Sequence, residues 1–153
     1  MDVNIINPFI NATLNILETM AFVKSEAGKP YLKKDTIAQG DVSGVVGITG
    51  ETNGTVTVTF DELCILKIVS NMFGEEIKEI NSDISDAVGE LTNMISGQAR
   101  RELAEIGKVF QGAIPTVITG KNHRLETMTK GPKIAIPFKT DFGSFTIEVC
   151  LEK

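Results

Sequence analysis

The chain has 153 residues, of which 42% are hydrophobic and 23% are charged. This composition is that of an ordinary globular protein, and the length predicts one domain, residues 1–153, that can bury its own core. Fifteen Lys and Arg against twenty Asp and Glu give a formal net charge of −5, and no basic stripe interleaved with aromatic residues indicates a nucleic-acid surface.

The N-terminal segment has no feature of a secretory signal. Residues 1–4 contain no basic residue ahead of an apolar run, and no apolar run in the chain approaches the roughly 20 residues that span a bilayer. The two cysteines, Cys64 and Cys150, stand apart without CxxC spacing or a companion histidine, which is typical of reduced structural thiols. We therefore expect a cytoplasmic protein without membrane insertion.

The first half of the chain predicts a helix, a β-hairpin and a second helix. Asn7 followed by Pro8 has the order of an N-cap and a first helical residue. Asn53-Gly54 supplies the hairpin turn, and Asp61 is suited to cap the second helix. These patterns place a helix at 8–20, a short extended segment at 22–23, strands at 42–49 and 55–60, and a helix at 61–74. The apolar set of the second helix is Leu63, Cys64, Ile68, Val69 and Met72.

A long amphipathic helix is predicted at residues 82–107. Its apolar residues recur at steps of three and four; they are Ile84, Val88, Leu91, Ile95, Ala99, Leu103 and Ile106. Ser82 or Asp83 is expected to cap its start, and Gly107 to end it. Two interior glycines, Gly89 and Gly97, each cost about 1 kcal/mol relative to alanine, which favours close approach by another surface at these positions.

The remainder of the chain predicts extended structure. Strands are expected at 113–119, 133–139 and 143–151. The polar loop 120–131 holds the only histidine, His123, which we expect to be solvated. Each half of the chain has a helix followed by hairpins, so the halves loosely echo each other. The order of elements predicts an α+β fold, in which a mainly antiparallel sheet is layered with a few helices on one side.

The polar face of the long helix carries a carboxylate and a carboxamide. Glu90 and Asn93 are three residues apart, so they stand on neighbouring turns, opposite the apolar stripe. Asp86, Gly97 and Ala104 follow the same line and leave little bulk beyond the pair. Exposed helices often carry Glu and Asn, so the spacing alone favours a solvated face over a site. No glycine-rich phosphate loop, serine elbow or His/Cys metal cluster competes with this face as a site.

The chain resembles the CheC/CheX/FliY family of chemotaxis phosphatases, and within it the CheX branch most closely. The matching residues are Asp86-x-x-x-Glu90-x-x-Asn93, with Pro115 about twenty residues downstream, and the order of elements agrees over nearly the whole chain. Some members of the family carry a second Glu-x-x-Asn on their first helix. The first helix here lacks it, so the resemblance implies one active site per chain.

The resemblance implies a phosphatase that hydrolyses the aspartyl phosphate of a CheY-like response regulator, in chemotaxis or related two-component signalling. Asn93 would orient the attacking water, and Glu90 would pair with a cationic group of the regulator. Asp86 and Gly97 would belong to the partner-binding face. The resemblance further implies a homodimer and no cofactor of the chain's own, because the phosphorylated regulator brings its Mg²⁺.

Two other functions fit the same residues. The first is a non-catalytic module that docks on a response regulator or flagellar switch protein through the same helix. The second is a dimeric structural domain in which Glu90 and Asn93 are only solvated. The intact Glu-x-x-Asn pair favours the phosphatase over the binding module, because binding alone does not require the amide.

Overall fold

A computed structural model describes residues 3–125 and 131–152. The helices are α1 (Val3–Ala21), α2 (Glu62–Phe73) and α3 (Ser82–Glu105). The strands are β1 (Glu26–Ala27), β2 (Tyr31–Lys33), β3 (Val42–Gly50), β4 (Gly54–Phe60), β5 (Phe110–Gly112), β6 (Thr116–Thr119), β7 (Lys133–Thr140) and β8 (Gly143–Leu151). No helix in these two ranges is long and apolar enough to cross a membrane.

All eight described strands form one antiparallel sheet. Its order is β1-β7-β8-β4-β3-β5, and the edge positions are each shared by two short strands, since β2 also pairs with β7 and β6 with β3. The three helices and the inward-facing strand residues contribute to one hydrophobic core. The predicted α+β class with an antiparallel sheet is therefore confirmed.

The two halves of the chain repeat one another and exchange their short strands. Each half runs helix, two short strands, hairpin: α1-β1-β2-β3-β4 and α3-β5-β6-β7-β8. The short strands of each half pair with the hairpin of the other, while β4 and β8 pair in the centre. Thr13 of α1 and Thr92 of α3 are both fully buried, and each hydroxyl donates to a carbonyl four residues earlier, at 2.7 Å. The two halves are thus joined within the sheet, both by the short strands and by the pairing of β4 with β8.

Polar side chains are also buried on the face of the sheet that lies away from the helices, where they are hydrogen-bonded to one another. Ser43 and Thr59 are buried there and hydrogen-bonded at 2.5 Å. His123 is half-buried rather than solvated as predicted, because its Nε2 lies 2.7 Å from the Ser43 hydroxyl. Lys33 and Glu148 form a nearly buried ion pair at 3.0 Å. The sequence alternation on β4 therefore separates an apolar face from a polar one, with both faces buried.

Several predicted details at the helix ends were wrong. Helix α1 begins at Val3, so Asn7 is not its N-cap and Pro8 lies inside the helix; burial of Ile6 on the core explains the longer helix. The N-cap of α3 is Asn81, whose side chain accepts from the Ile84 N–H.

Other predicted segments also differ. Phe22 has a left-handed backbone (φ 55°) and ends α1 instead of starting an extended segment. Of the single strand predicted at 113–119, only Thr116–Thr119 forms a strand (β6), and β5 (Phe110–Gly112) precedes the predicted range. Leu63, placed in the apolar set of α2, is 73% exposed, and Ile65 is buried in its stead.

Helix α3 lies closest to the sheet where Thr92 meets Gly44 of β3. A Cβ atom at Gly44 would fall 2.0 Å from the Thr92 Oγ1 atom and 2.9 Å from its Cβ. Real atoms do not approach this closely, so only glycine at this position lets the helix rest on β3. The contact places the backbone of α3 against the centre of the sheet.

We predict that Gly44→Ala lowers the free energy of unfolding by about 1–3 kcal/mol, or more if the helix is displaced, because overpacking a core has that cost. The measurement is chemical denaturation. Gly47→Ala on the same strand is the matched control, since its new Cβ would meet nothing closer than 3.9 Å. Equal stability of the two variants would contradict the role assigned to the contact.

Candidate functional site on helix α3

The polar pair on α3 is presented to solvent. Glu90 and Asn93 are exposed, while Val88, Leu91 and Ile95 are completely buried. This confirms the exposure pattern predicted from the helical period. Both residues stand in the middle of a 24-residue helix, so the backbone that carries them is held by regular hydrogen bonds on either side.

The buried part of α3 is wider than the apolar stripe alone. Thr92 and Ser96 are fully buried beside it. Gly89 is buried as well, and a Cβ there would lie 3.4 Å from Val117 Cγ2 and 3.9 Å from Pro115 Cγ. The surface that approaches Gly89 is therefore the chain's own β6 segment and not a partner. The sequence identified Pro115 only by its distance from the motif. In the structure it lies beside Gly89, the residue before Glu90.

The side chains of Glu90 and Asn93 make no hydrogen bond or ion pair with any residue in the described ranges. Asp86, on the same line one turn before Glu90, is exposed too. The site thus offers one free carboxamide and two free carboxylates on a rigid support. A carboxamide both donates and accepts hydrogen bonds, whereas a carboxylate at this surface is suited to bind a cation.

The surface beyond Asn93 differs from the prediction. Gly97 is half-buried, because two guanidinium groups lie near it. The position of a Cβ at Gly97 is 3.7 Å from Arg100 Nη2 and 3.9 Å from Arg101 Nη1. The Arg100 guanidinium lies against Gly112 of β5, and this contact has no signal in the local sequence.

Helix α3 itself contains no cysteine or histidine. No cluster of three or more His, Cys, Asp or Glu that could hold a metal occurs in the described residues. The thiols of Cys64 and Cys150 are buried and form no disulfide, and burial raises the pKa of Cys64 to about 12. A thiol with so high a pKa stays protonated at neutral pH and is a poor nucleophile. The chemistry available at the site is the positioning of a water and the pairing of charges.

Helix α1 does not offer a second copy of the site. When its buried threonine is matched to that of α3, Asn11 and Leu14 take the places of Glu90 and Asn93. The Asn11 amide donates to the Glu102 carboxylate of α3 at 3.2 Å, and Leu14 packs partly buried against the core. The counterpart face is therefore used in packing the two helices together.

Comparison with known proteins associates this geometry with a family. The family model described as chemotaxis phosphatase CheX matches residues 42–139. A relative from Thermotoga maritima, CheY-P phosphatase CheX, is 28% identical over 128 residues, which is 83% of each chain. The segment that the family model matches includes all of α3.

Solved structures share the fold at higher and lower identity. A chemotaxis protein CheX from Desulfovibrio desulfuricans is 55% identical, with a TM-score of 0.91 over 97% of this chain and 99% of the other. The CheX-CheY-BeF₃-Mg²⁺ complex from Borrelia burgdorferi contains a chain that is 26% identical, with a TM-score of 0.82 over 97% of both chains.

Proposed function

Since this chain belongs to the chemotaxis phosphatase CheX family, we propose that it hydrolyses the aspartyl phosphate of a phosphorylated CheY-like response regulator. The observation that carries the proposal is the exposed pair of Glu90 and Asn93, without partners in the described chain and fixed on the middle of α3. The relative from Thermotoga is named a CheY-P phosphatase, and the relative from Borrelia was solved with CheY. Both names support a regulator as the partner of this face.

Asn93 is proposed to position the attacking water. An acyl phosphate already has a good leaving group, so the remaining barrier is largely the placement of a water in line with phosphorus. A neutral carboxamide accepts a hydrogen bond from that water and orients it. A carboxylate at the same position would repel the phosphoryl oxygens. Because no base of shifted pKa is needed, a site without histidine is sufficient.

Glu90 is proposed to hold the regulator in register. Standing one turn from Asn93, its carboxylate can form an ion pair with a cationic side chain beside the regulator's phosphate. Asp86 and Gly97 extend the partner-binding face before and after the pair. We propose that the protein has no metal of its own and that Mg²⁺ is held by the phosphorylated regulator, where it would neutralise charge on the phosphoryl oxygens.

We further propose that the protein acts in the cytoplasm, where response regulators are phosphorylated, and that it is a homodimer. Within the described residues, β5 and β6 pair only with β3, so one edge of the sheet carries unpaired backbone groups. Exposed apolar side chains border this edge: Val109 is 58% exposed and Ile114 is 90% exposed. A free edge flanked by apolar side chains favours pairing with a second copy.

The catalytic proposal predicts different effects at the two residues of the pair. Asn93→Ala removes an interaction made chiefly in the transition state, so turnover should fall by about 10²-fold or more while affinity for the regulator changes little. Asn93→Asp should lose turnover as well, although it keeps the shape of the side chain. Glu90→Ala should reduce both affinity and turnover, because its ion pair forms on binding.

The measurement is dephosphorylation at several protein concentrations, beside binding to a regulator that carries beryllofluoride as a stable phosphate mimic. Glu105→Ala, exposed at the end of the same helix, is the control, and surface changes of this kind usually alter stability by less than about 0.5 kcal/mol. Full turnover by Asn93→Ala would reject the hydrolase and leave the non-catalytic binding module in its place.

The partner-binding role of Gly97 predicts a separation of folding from activity. Gly97→Leu should leave stability unchanged or raise it by up to about 1 kcal/mol, because leucine is the better helix former and its Cβ would meet no backbone atom within 4 Å. The added bulk one turn from Asn93 should weaken regulator binding. Ala104→Leu, exposed and roughly 16 Å from Asn93 along the axis, is the control. Unchanged phosphatase activity in Gly97→Leu would show that the regulator does not approach there.

The dimer predicts a change of mass on substitution at the free edge. Val109→Glu should shift the protein from dimer to monomer in sedimentation equilibrium, because it places a charge in an apolar interface. Leu63→Glu, on a residue of α2 that is 73% exposed, should leave the mass unchanged. A wild-type protein that is monomeric across the micromolar range would contradict the proposal.

A further inference from the structure

Charged side chains of opposite sign lie on the two sides of Asn93 along α3, ahead of Glu102 and Glu105 at the end of the helix. Asp86 and Glu90 precede Asn93 and carry negative charge, whereas Arg100 and Arg101 follow it and carry positive charge. The whole protein is acidic, with a formal charge of −5, so a pair of cations next to the candidate site departs from the average surface. The charge changes sign across Asn93.

Arg100 is held in place by a strand glycine. A Cβ at Gly112 of β5 would fall 2.7 Å from Arg100 Nη2 and 2.8 Å from its Cζ, so the guanidinium lies in space that only glycine leaves open. The Arg100 Nε donates to the hydroxyl of buried Ser96 at 3.4 Å. Because side chains of a helix point towards its N-terminus, the guanidinium lies back towards Gly97 and Asn93.

Arg101 brings a second cation to the same place. Its Nη1 and the Arg100 Nη2 are within 3.9 Å of a single point, the position of a Cβ at Gly97. Neither guanidinium lies within 4 Å of a carboxylate in residues 3–125 and 131–152. Two neighbouring cations without a counter-ion repel each other, and an anion placed between them removes that repulsion. The two guanidiniums are therefore arranged to bind an anion.

We propose that Arg100 and Arg101 bind a carboxylate of the phosphorylated regulator and so fix its orientation along α3. This inference rests on the proposed function. An aspartyl phosphate that holds Mg²⁺ has one or two carboxylates beside it, because Mg²⁺ is usually bound through one or two carboxylates together with phosphate oxygens and waters. With Glu90 meeting a cation and the arginines meeting an acid, the regulator fits the helix in one direction and not in the reverse.

The spacing selects a carboxylate of the regulator over the phosphoryl group as the ligand of the arginines. The reacting water and phosphorus lie about 3–3.5 Å apart in a productive complex, so the phosphoryl group belongs beside the Asn93 amide. Gly97, over which the guanidiniums meet, is four residues or about 6 Å further along the helix axis. The arginines therefore reach a group next to the phosphate. They act as recognition residues, and their loss should raise KM and leave kcat nearly unchanged.

Two variants test the charge and its placement separately. Arg101→Glu reverses one charge and should raise the Kd for the beryllofluoride-bearing regulator roughly tenfold at low salt, with a smaller effect at high salt. Gly112→Ala keeps both charges but displaces the Arg100 guanidinium, so it should raise the same Kd several-fold. Arg124→Glu, an exposed arginine in the loop on the other face of the sheet, is the matched charge control; Gly47→Ala is the matched control for the added methyl group.

The outcomes separate this inference from the proposed function. If the wild-type protein hydrolyses the phosphate and Arg101→Glu binds like Arg124→Glu, the orientation by arginines is wrong and the phosphatase stands. If no hydrolysis occurs but Arg101→Glu still weakens binding selectively, the phosphatase is wrong and the anion site stands. A loss of kcat with unchanged KM would place the arginines on the phosphoryl group and overturn the proposal. Circular dichroism of each variant verifies that it is folded.

Discussion

The contact of Thr92 with Gly44 sets the rotation of α3 on the sheet, and the site depends on that rotation. With no room for even a Cβ at Gly44, the helix has one depth at which it can rest on β3. Thr92 then points into the sheet with its hydroxyl bonded to the Val88 carbonyl at 2.7 Å. Asn93 lies about 100° round the helix from Thr92, on the side opposite to buried Leu91, and is therefore exposed.

The same packing explains why glycines, which are unfavourable inside a helix or strand, occur beside the site. Gly89 allows β6 to cover α3 one residue before Glu90, and Gly112 on the neighbouring strand leaves room for the Arg100 guanidinium. Each glycine lowers the stability of its helix or strand, but it lets another part of the chain approach closely. Functional groups placed on an element that is packed from several sides keep a defined geometry, and this is what the positioning of a water requires.

The sequence predicted α3 and the exposure of Glu90 and Asn93 because both follow from helical period alone. It did not predict that His123 bonds to Ser43, since the partner is 80 residues away. Leu63 was misplaced because a single apolar residue on a short helix fits the stripe almost as well as its neighbours. The arginine pair at Gly97 was missed for a related reason: the Arg100 guanidinium packs against Gly112 of β5, whose position comes from the sheet. Local periodicity finds the helix and its faces, but contacts between distant segments need the fold.

The exchange of short strands between the halves has a further consequence for the number of sites. Helices α1 and α3 occupy equivalent places, so a repeat with two identical faces would carry the pair twice. Here the α1 face is joined to α3 through Asn11 and Glu102 and through Asn15 and Gln98, at 3.2 and 2.8 Å. Asn11, which takes the place of Glu90 on α1, is one of the residues that form these contacts. Because the Glu-x-x-Asn pair is present on α3 alone, the residues of α1 can hold α3 in place. The difference between the two helices therefore stabilises the exposed face of α3.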